Sequence, residues 1–255
     1  MQGLKNIFLF TLAAVICLSS FALAEITDPY QILNRQYDAV GGLEKVKAQT
    51  TSYIEADIEL VGTGLQGKIK SWSQIPIMQR AEADLTIFQQ TSGDNGEFSW
   101  MVDMNGKLQI NRDSVSLVRR ELSLLAAEYE FLNPESKYYT VSYEGLESID
   151  SIECYTIKTT NTLNDDYSIQ YIDASTFLTY KTKSYTPSGE SHSVNTDYRD
   201  VNGVLMPFKT ETTNYPTKMV QIIQITKAEA NIEIDPALFQ PPGEDVKDFK
   251  FVNGR

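Results

Sequence analysis

The strictest constraint in this sequence is a change of hydrophobic period at residue 52. From there Ile54, Ala56, Ile58 and Leu60 alternate with Glu55, Asp57 and Glu59. Side chains two apart along a strand share a face, so this pattern specifies a strand with one dry and one wet side rather than an amphipathic helix. The alternation returns in Ala81, Ala83, Leu85 and Ile87 against Arg80, Glu82 and Asp84. It recurs in Phe98, Trp100 and Val102 against Glu97, Ser99 and Asp103. The turn signals Gly93-Asp94-Asn95-Gly96 and Asn105-Gly106 predict that these segments chain together as antiparallel hairpins.

Two regions break the period of two. Thr27-Asp28 can cap a helix with Pro29 at its first position, and Tyr30, Leu33, Tyr37 and Val40 follow at helical spacing. Gly41-Gly42 interrupts them before Leu43 and Val46, which predicts two helical pieces meeting at the glycines. Further on, Val118, Leu122, Leu125, Tyr129 and Leu132 predict one helix from Ser114 to Leu132, stopped by Asn133-Pro134. Strands are then predicted over Tyr139–Tyr143, Cys154–Thr160, Tyr167–Ile172, Thr176–Tyr185, Ser193–Tyr198, Leu205–Thr213, Met219–Ile225 and Ala228–Ile234, with turns at Pro187-Ser188-Gly189 and Asn202-Gly203. The fold class is therefore mainly β with helices (α+β). One strongly curved antiparallel sheet wrapped around the few helices satisfies it, because a flat sheet this wide would leave edges exposed.

The N-terminus reads as an export signal: Lys5, an apolar run from Ile7 to Ile16, then Ala22-Leu23-Ala24 as a cleavage site before Glu25. The run is too short for a membrane span, and no later segment approaches the roughly 18 to 20 apolar residues that a span needs, so the mature chain is expected to be soluble. Cys17 lies within the apolar run rather than at the cleavage point, so no lipid anchor is expected. Residues 25–242 are read as a single domain and 243–255 as a polar tail. The net charge of −12 argues against nucleic acid or anionic head groups as partners.

Few residues offer chemistry. Cys154 remains as a lone thiol after cleavage, and its neighbours Ile152, Tyr155 and Ile157 suggest a buried, inert position. His192 is the single histidine, in a Gly- and Ser-rich stretch read as an exposed loop with no nucleophile motif beside it. One His and one Cys cannot make a zinc site. Asn164-Asp165-Asp166 and Asp94-Asn95-Gly96-Glu97 carry oxygen ligands but are better explained as turns than as calcium loops. No catalytic site, metal or cofactor is therefore expected.

Three stretches carry a resemblance: Tyr37 through Val46, Leu65 through Lys70 followed by Pro76, and Asp197 through Phe208. The closing Ala230 through Phe239 adds to it. Together they resemble outer-membrane lipoprotein-sorting proteins of the LolA-like superfamily. The resemblance implies an incomplete antiparallel β-barrel closed by helices around an apolar cavity, and a soluble periplasmic carrier or binding protein for a lipid, a lipoprotein acyl group or another apolar ligand. Alternatively, the same half-barrel serves as an envelope interaction or sensor module for a partner protein. In such carriers an arginine directly before the proline helps hold the lid. Here Ile75 precedes Pro76, and Arg80, four residues on, alternates with Glu82 and Asp84 on the wet face.

The candidate lining of such a cavity is Ile58, Leu60, Trp72, Met78, Leu85, Phe98, Trp100, Val118, Leu122 and Leu125, with Met101 and Met104 nearby. These residues either form the core or offer large, adaptable apolar surface to an acyl chain.

Overall fold

The computed structural model describes residues 26–243 except 86, 104 and 188. The export signal over residues 1–24, the tail beyond residue 243 and Met104 lie outside the described residues. Helices α1 (Pro29–Ala39) and α2 (Leu43–Lys47) precede a meander of six strands, β1 (Thr51–Leu60), β2 (Leu65–Gln74), β3 (Met78–Leu85), β4 (Phe88–Asp94), β5 (Ser99–Val102) and β6 (Leu108–Asn111). Helix α3 (Ser114–Ala127) leads to a second meander: β7 (Tyr139–Ile149), β8 (Ile152–Asn161), β9 (Tyr167–Asp173), β10 (Thr179–Thr186), β11 (Gly189–Val201), β12 (Val204–Tyr215) and β13 (Met219–Ala230).

All the strands join one antiparallel sheet in the order β6-β5-β4-β3-β2-β1-β13-β12-β11-β10-β9-β8-β7. The chain runs outward to β6, crosses through α3 to the far edge at β7, and returns inward until β13 pairs with β1. In a flat sheet β4 and β7 would stand about 48 Å apart at about 4.8 Å per strand. Yet Arg120 of α3 bonds Asp94 on β4, while the Leu122 carbonyl accepts from the Tyr139 hydroxyl on β7 at 3.4 Å. One turn of helix reaches both ends, so the sheet is curled toward the face that carries the helices. β6 and β7 do not pair, and the barrel stays open.

The first helical region forms as its sequence dictates. The Asp28 carboxylate caps α1, accepting from the Tyr30 amide at 2.9 Å and the Gln31 amide at 3.4 Å. Gly41 then adopts φ +122°, and a Cβ there would stand 2.2 Å from the Gly203 carbonyl oxygen. The glycine lets the α1–α2 corner touch the β11–β12 hairpin, where the Leu205 amide donates to the Val40 carbonyl at 2.8 Å. Two of the motif stretches thus meet in space.

Two compact packing centres anchor the halves. Ile32 and Leu33 of α1 bury against Tyr155, Ile157 and Ile172 on the concave face of β8 and β9. Each such aliphatic side chain contributes about 1.5–3 kcal/mol on burial. The second centre lies on the opposite face. Trp100, only 1% exposed, donates from Nε1 to the Phe239 carbonyl at 2.9 Å, and Phe239 belongs to the 3₁₀ turn Pro236–Phe239 that covers this side.

The structure departs from the sequence expectations at four places. The helix predicted to Leu132 ends at Ala127, because Tyr129 turns to φ 58° and a separate 3₁₀ turn follows over Glu130–Leu132. The two strands expected at the C-terminal end are one, β13, continued through a bulge where Thr226 is skipped between Ala56↔Ile225 and Glu55↔Lys227. The sequence predicts no strand at β2, β4 or β6, which are too short or too polar to show a clean alternation. His192 lies inside β11 rather than in a loop. Among the described residues no helix is long and apolar enough to cross a membrane.

Candidate functional site

Residues directly opposite one another on paired strands share a face, so the register maps the concave surface strand by strand. From β1 the concave row runs Ile54↔Ser71, Ala56↔Ile69, Ile58↔Gly67 and Leu60↔Leu65, and continues to Ala81, Ala83 and Leu85 on β3. On the other side β13 adds Ile223 opposite Ile58 and Ile225 opposite Ala56. This half of the concavity is aliphatic. Ile54, Leu60, Leu65 and Ile69 are only half-buried there.

Beyond β13 the same face changes character. Along the registers through Ser191, Ser193 and Asn195 its positions are Thr210, Thr212 and Asn214 on β12; Ser191, Ser193 and Asn195 on β11; Thr182 and Ser184 on β10; and Ser168 and Gln170 on β9. Each is a hydroxyl or an amide, each is half-buried, and none is charged. Ser193 and Thr212 hydroxyls lie 2.9 Å apart, and Thr210 Oγ1 donates to Asn195 Oδ1 at 3.0 Å. Within these registers the charged residues Lys181, Lys183, Glu190, Lys209 and Glu211 stand at the intervening positions on the convex face. The concavity is thus divided between an aliphatic and a hydroxyl-rich half.

Helix α3 crosses one end of it, and none of its residues is buried. A space of about 290 Å³ separates it from β3–β6, lined by Gln79, Gln90, Ser92, Ser99, Asn111, Arg119 and Ser123. Another of about 240 Å³ separates it from β7–β10, lined by Leu122, Tyr139, Thr159, Asn161, Ser168 and Ser184. The helix is held by Arg120. Its Nε lies 2.8 Å from Asp94 Oδ2 and its Nη2 lies 3.4 Å from Oδ1, and Nη2 also donates to the Gly96 carbonyl. Asp94 is 2% exposed and accepts in addition from the Gly96 amide at 2.8 Å. Two larger grooves of about 410 Å³ each lie between charged side chains of the convex face, around Asp57, Glu59 and Lys68 and around Lys70, Glu82 and Asp84. They are troughs between solvated ion pairs such as Lys68–Asp57, at 2.9 Å, and Ile58 and Ile222 also line the first of them.

The candidate lining residues do not form one group. Ile58, Leu60 and Leu85 are on the concave face. Trp72 and Met78 belong to the convex one: Trp72 pairs with Tyr53, ring centroids 5.1 Å apart, and Met78 alternates with the concave Gln79. Trp100 is convex too and buried beneath the C-terminal 3₁₀ turn, and Phe98, two residues before it on the same side, is also buried. The apolar alternation of β5 therefore points away from that of β1, because a covering segment more than a hundred residues downstream shields it. Val118, Leu122 and Leu125 on α3 are half-buried. Met101 is concave, opposite Ser92.

The remaining candidates fall as follows. Arg80 donates from Nη1 to the Leu238 carbonyl at 3.1 Å and lies 5.7 Å over the Trp100 ring, so it secures the C-terminal turn rather than a helix over the hollow. Cys154 is buried, and burial, followed by Asp173, Asp150 and Glu147, pushes its thiol up to about 11. His192 is convex, opposite Lys183, with Nε2 against the Glu190 carboxylate and its ring 4.8 Å from that of Tyr215. The Asn164 and Asp94 segments make side-chain-to-amide turns. Among the described residues no group of three His, Cys, Asp or Glu is placed to hold a metal. The Asp94–Arg120 pair had no local sequence signal. The hydroxyl half did, in the alternation of Ser191, Ser193 and Asn195 with Glu190, His192 and Val194.

A family model described as uncharacterized protein matches residues 126–242. No curated protein matches this chain. Solved structures do. A LolA superfamily protein from Nitrosomonas europaea aligns with TM-score 0.57 at 14% identity, over 85% of this chain and 99% of that one. A DUF1329 family protein from Desulfovibrio piger aligns with TM-score 0.55 at 16% identity, over 84% and 98%. A domain described as an outer membrane lipoprotein-sorting protein from Vibrio parahaemolyticus aligns with TM-score 0.53 at 10% identity, over 83% and 95%. At these identities the likeness establishes architecture: this chain has the LolA-like fold, an unclosed antiparallel barrel curled around a few helices.

Proposed function

We propose that this protein is a binding protein or carrier of the cell envelope that holds an acyl chain or a similar apolar group in the concavity. The observation that carries the reading is the aliphatic half of the concave face, where Ile54, Leu60, Leu65 and Ile69 are left half-buried by the chain's own helices. Each methylene of a ligand buried there contributes about 0.8 kcal/mol, so one acyl chain gives useful affinity. The export signal read over residues 1–24 supports an envelope location, as does the likeness to a domain described as lipoprotein-sorting. The reading assigns no catalytic role, since Cys154 is buried with a raised thiol pKa and His192 faces away from the hollow. Mass spectrometry of organic extracts from gently purified protein tests it. Co-purified amphiphiles in stoichiometric amount are expected. A protein that is consistently empty and takes up no added fatty acid or glycolipid overturns the reading.

A second reading, an interaction module for an envelope protein, draws support from Val115 and Leu117 on α3, which are 53% and 57% exposed. Capture of a partner that survives delipidation, and is lost on substituting both residues with serine, favours it.

A further inference from the structure

We propose that the ligand is an amphiphile with an uncharged, hydroxyl-rich head group, a neutral glycolipid in chemical class, with its chain over β1–β3 and its head over β10–β12. This rests on the carrier reading above and specifies the ligand. The basis is the division of the concave face. On β10–β12 the register brings Thr182, Ser184, Ser191, Ser193, Thr210 and Thr212 together on that face. Hydroxyls act as donor and acceptor at once, and so match a ligand surface of hydroxyls in either role. Ser193 and Thr212 bond each other at 2.9 Å, and each retains further hydrogen-bonding capacity for a ligand.

Two simpler ligands fit less well. A bare acyl chain laid across these strands would take their hydroxyls out of water and return no hydrogen bonds. An anionic head would need cations, and Lys181, Lys183 and Lys209 all stand on the convex face. Arg119 and Arg120 lie at the far space beneath α3, with Arg120 engaged by Asp94. The aliphatic rows of β1 and β2 border the hydroxyl rows across β13, so an amphiphile can lie on both without leaving the face.

Calorimetric titration of the intact protein with three probes tests the assignment: octyl glucoside below its micelle concentration, octanoate, and free glucose. Octyl glucoside is expected to bind at least tenfold tighter than octanoate, and glucose not to bind measurably. The double variant S193A/T212V, nearly isosteric, is expected to lose about tenfold in glucoside affinity while octanoate binding stays unchanged. I69S is expected to weaken both amphiphiles. Equal affinity for glucoside and octanoate, or no effect of S193A/T212V, overturns the head-group assignment and leaves the carrier reading standing. Glucose binding as tightly as octyl glucoside overturns the amphiphile in favour of a plain saccharide site. If neither amphiphile binds, the carrier reading falls and this inference with it. The comparison of probes on the unmodified protein stands even if a variant fails to fold.

Discussion

Gly93 sits beneath the Trp100 ring, where a Cβ would stand 2.7 Å from Cζ2 and 2.6 Å from the Gln79 carbonyl oxygen. Backbone and a fully buried indole bound that space, so neither neighbour can move aside. Gly93→Ala is expected to destabilise the fold by about 1–3 kcal/mol, read as a lowered urea midpoint at unchanged slope. Ionisable residues set the alkaline limit in the same local way. Burial pushes the Cys154 thiol up to about 11, and burial pushes the Tyr37 and Tyr198 hydroxyls up to about 12. In each case the folded state favours the protonated group. That contribution is fully present below the unfolded values of 9 to 10 and is lost as pH rises through the folded ones. Stability is expected to be insensitive to these groups up to pH 9 and to fall between about pH 9 and 12. Thiol alkylation at pH 8 is expected to need unfolding first. Rapid labelling of the native protein, or stability flat to pH 12, is the opposite outcome.

At the scale of elements, α3 is the loosest seated. It buries no residue, and it meets the sheet through Asp94–Arg120 and the Tyr139–Leu122 hydrogen bond. Arg120→Met leaves a carboxylate that is 2% exposed without its partner, which costs about 3 kcal/mol. Adding Asp94→Asn is expected to restore part of the loss, because the uncompensated charge is what costs most. Amides of α3 are expected to exchange faster with deuterium in R120M than in the parent, while those of β8 change little. Uniform acceleration across both elements would show that the pair supports the whole fold rather than the helix. Elements were legible in the sequence where their period was strong: β1, β3, β5, the two short helices and the start of α3. The end of α3 was not, since Tyr129 keeps the apolar spacing yet turns left-handed. Nor was the β13 bulge, which exists only relative to the register of β1.

At the scale of the whole molecule, curvature turns one face of the sheet into a hollow. The alternation already separates hydroxyl and aliphatic positions from charged ones along β11 and β1, so the chemistry of each face is written locally. Ile58, Leu60 and Leu85 could be placed on the hollow from that pattern. Trp72 and Trp100 could not, since in sequence both look like lining and in space both stand on the convex face, one beside Tyr53 and one under the turn that ends at Phe239. Most strands, the helix starts and the two-sidedness of the sheet are written in local sequence, because those depend on neighbours two to four residues apart. Tertiary structure alone decided which face curls inward, which segment covers the other, and that residue 120 meets residue 94. Those outcomes depend on how β13 closes onto β1 and how α3 spans the two edges, and no local periodicity carries that information.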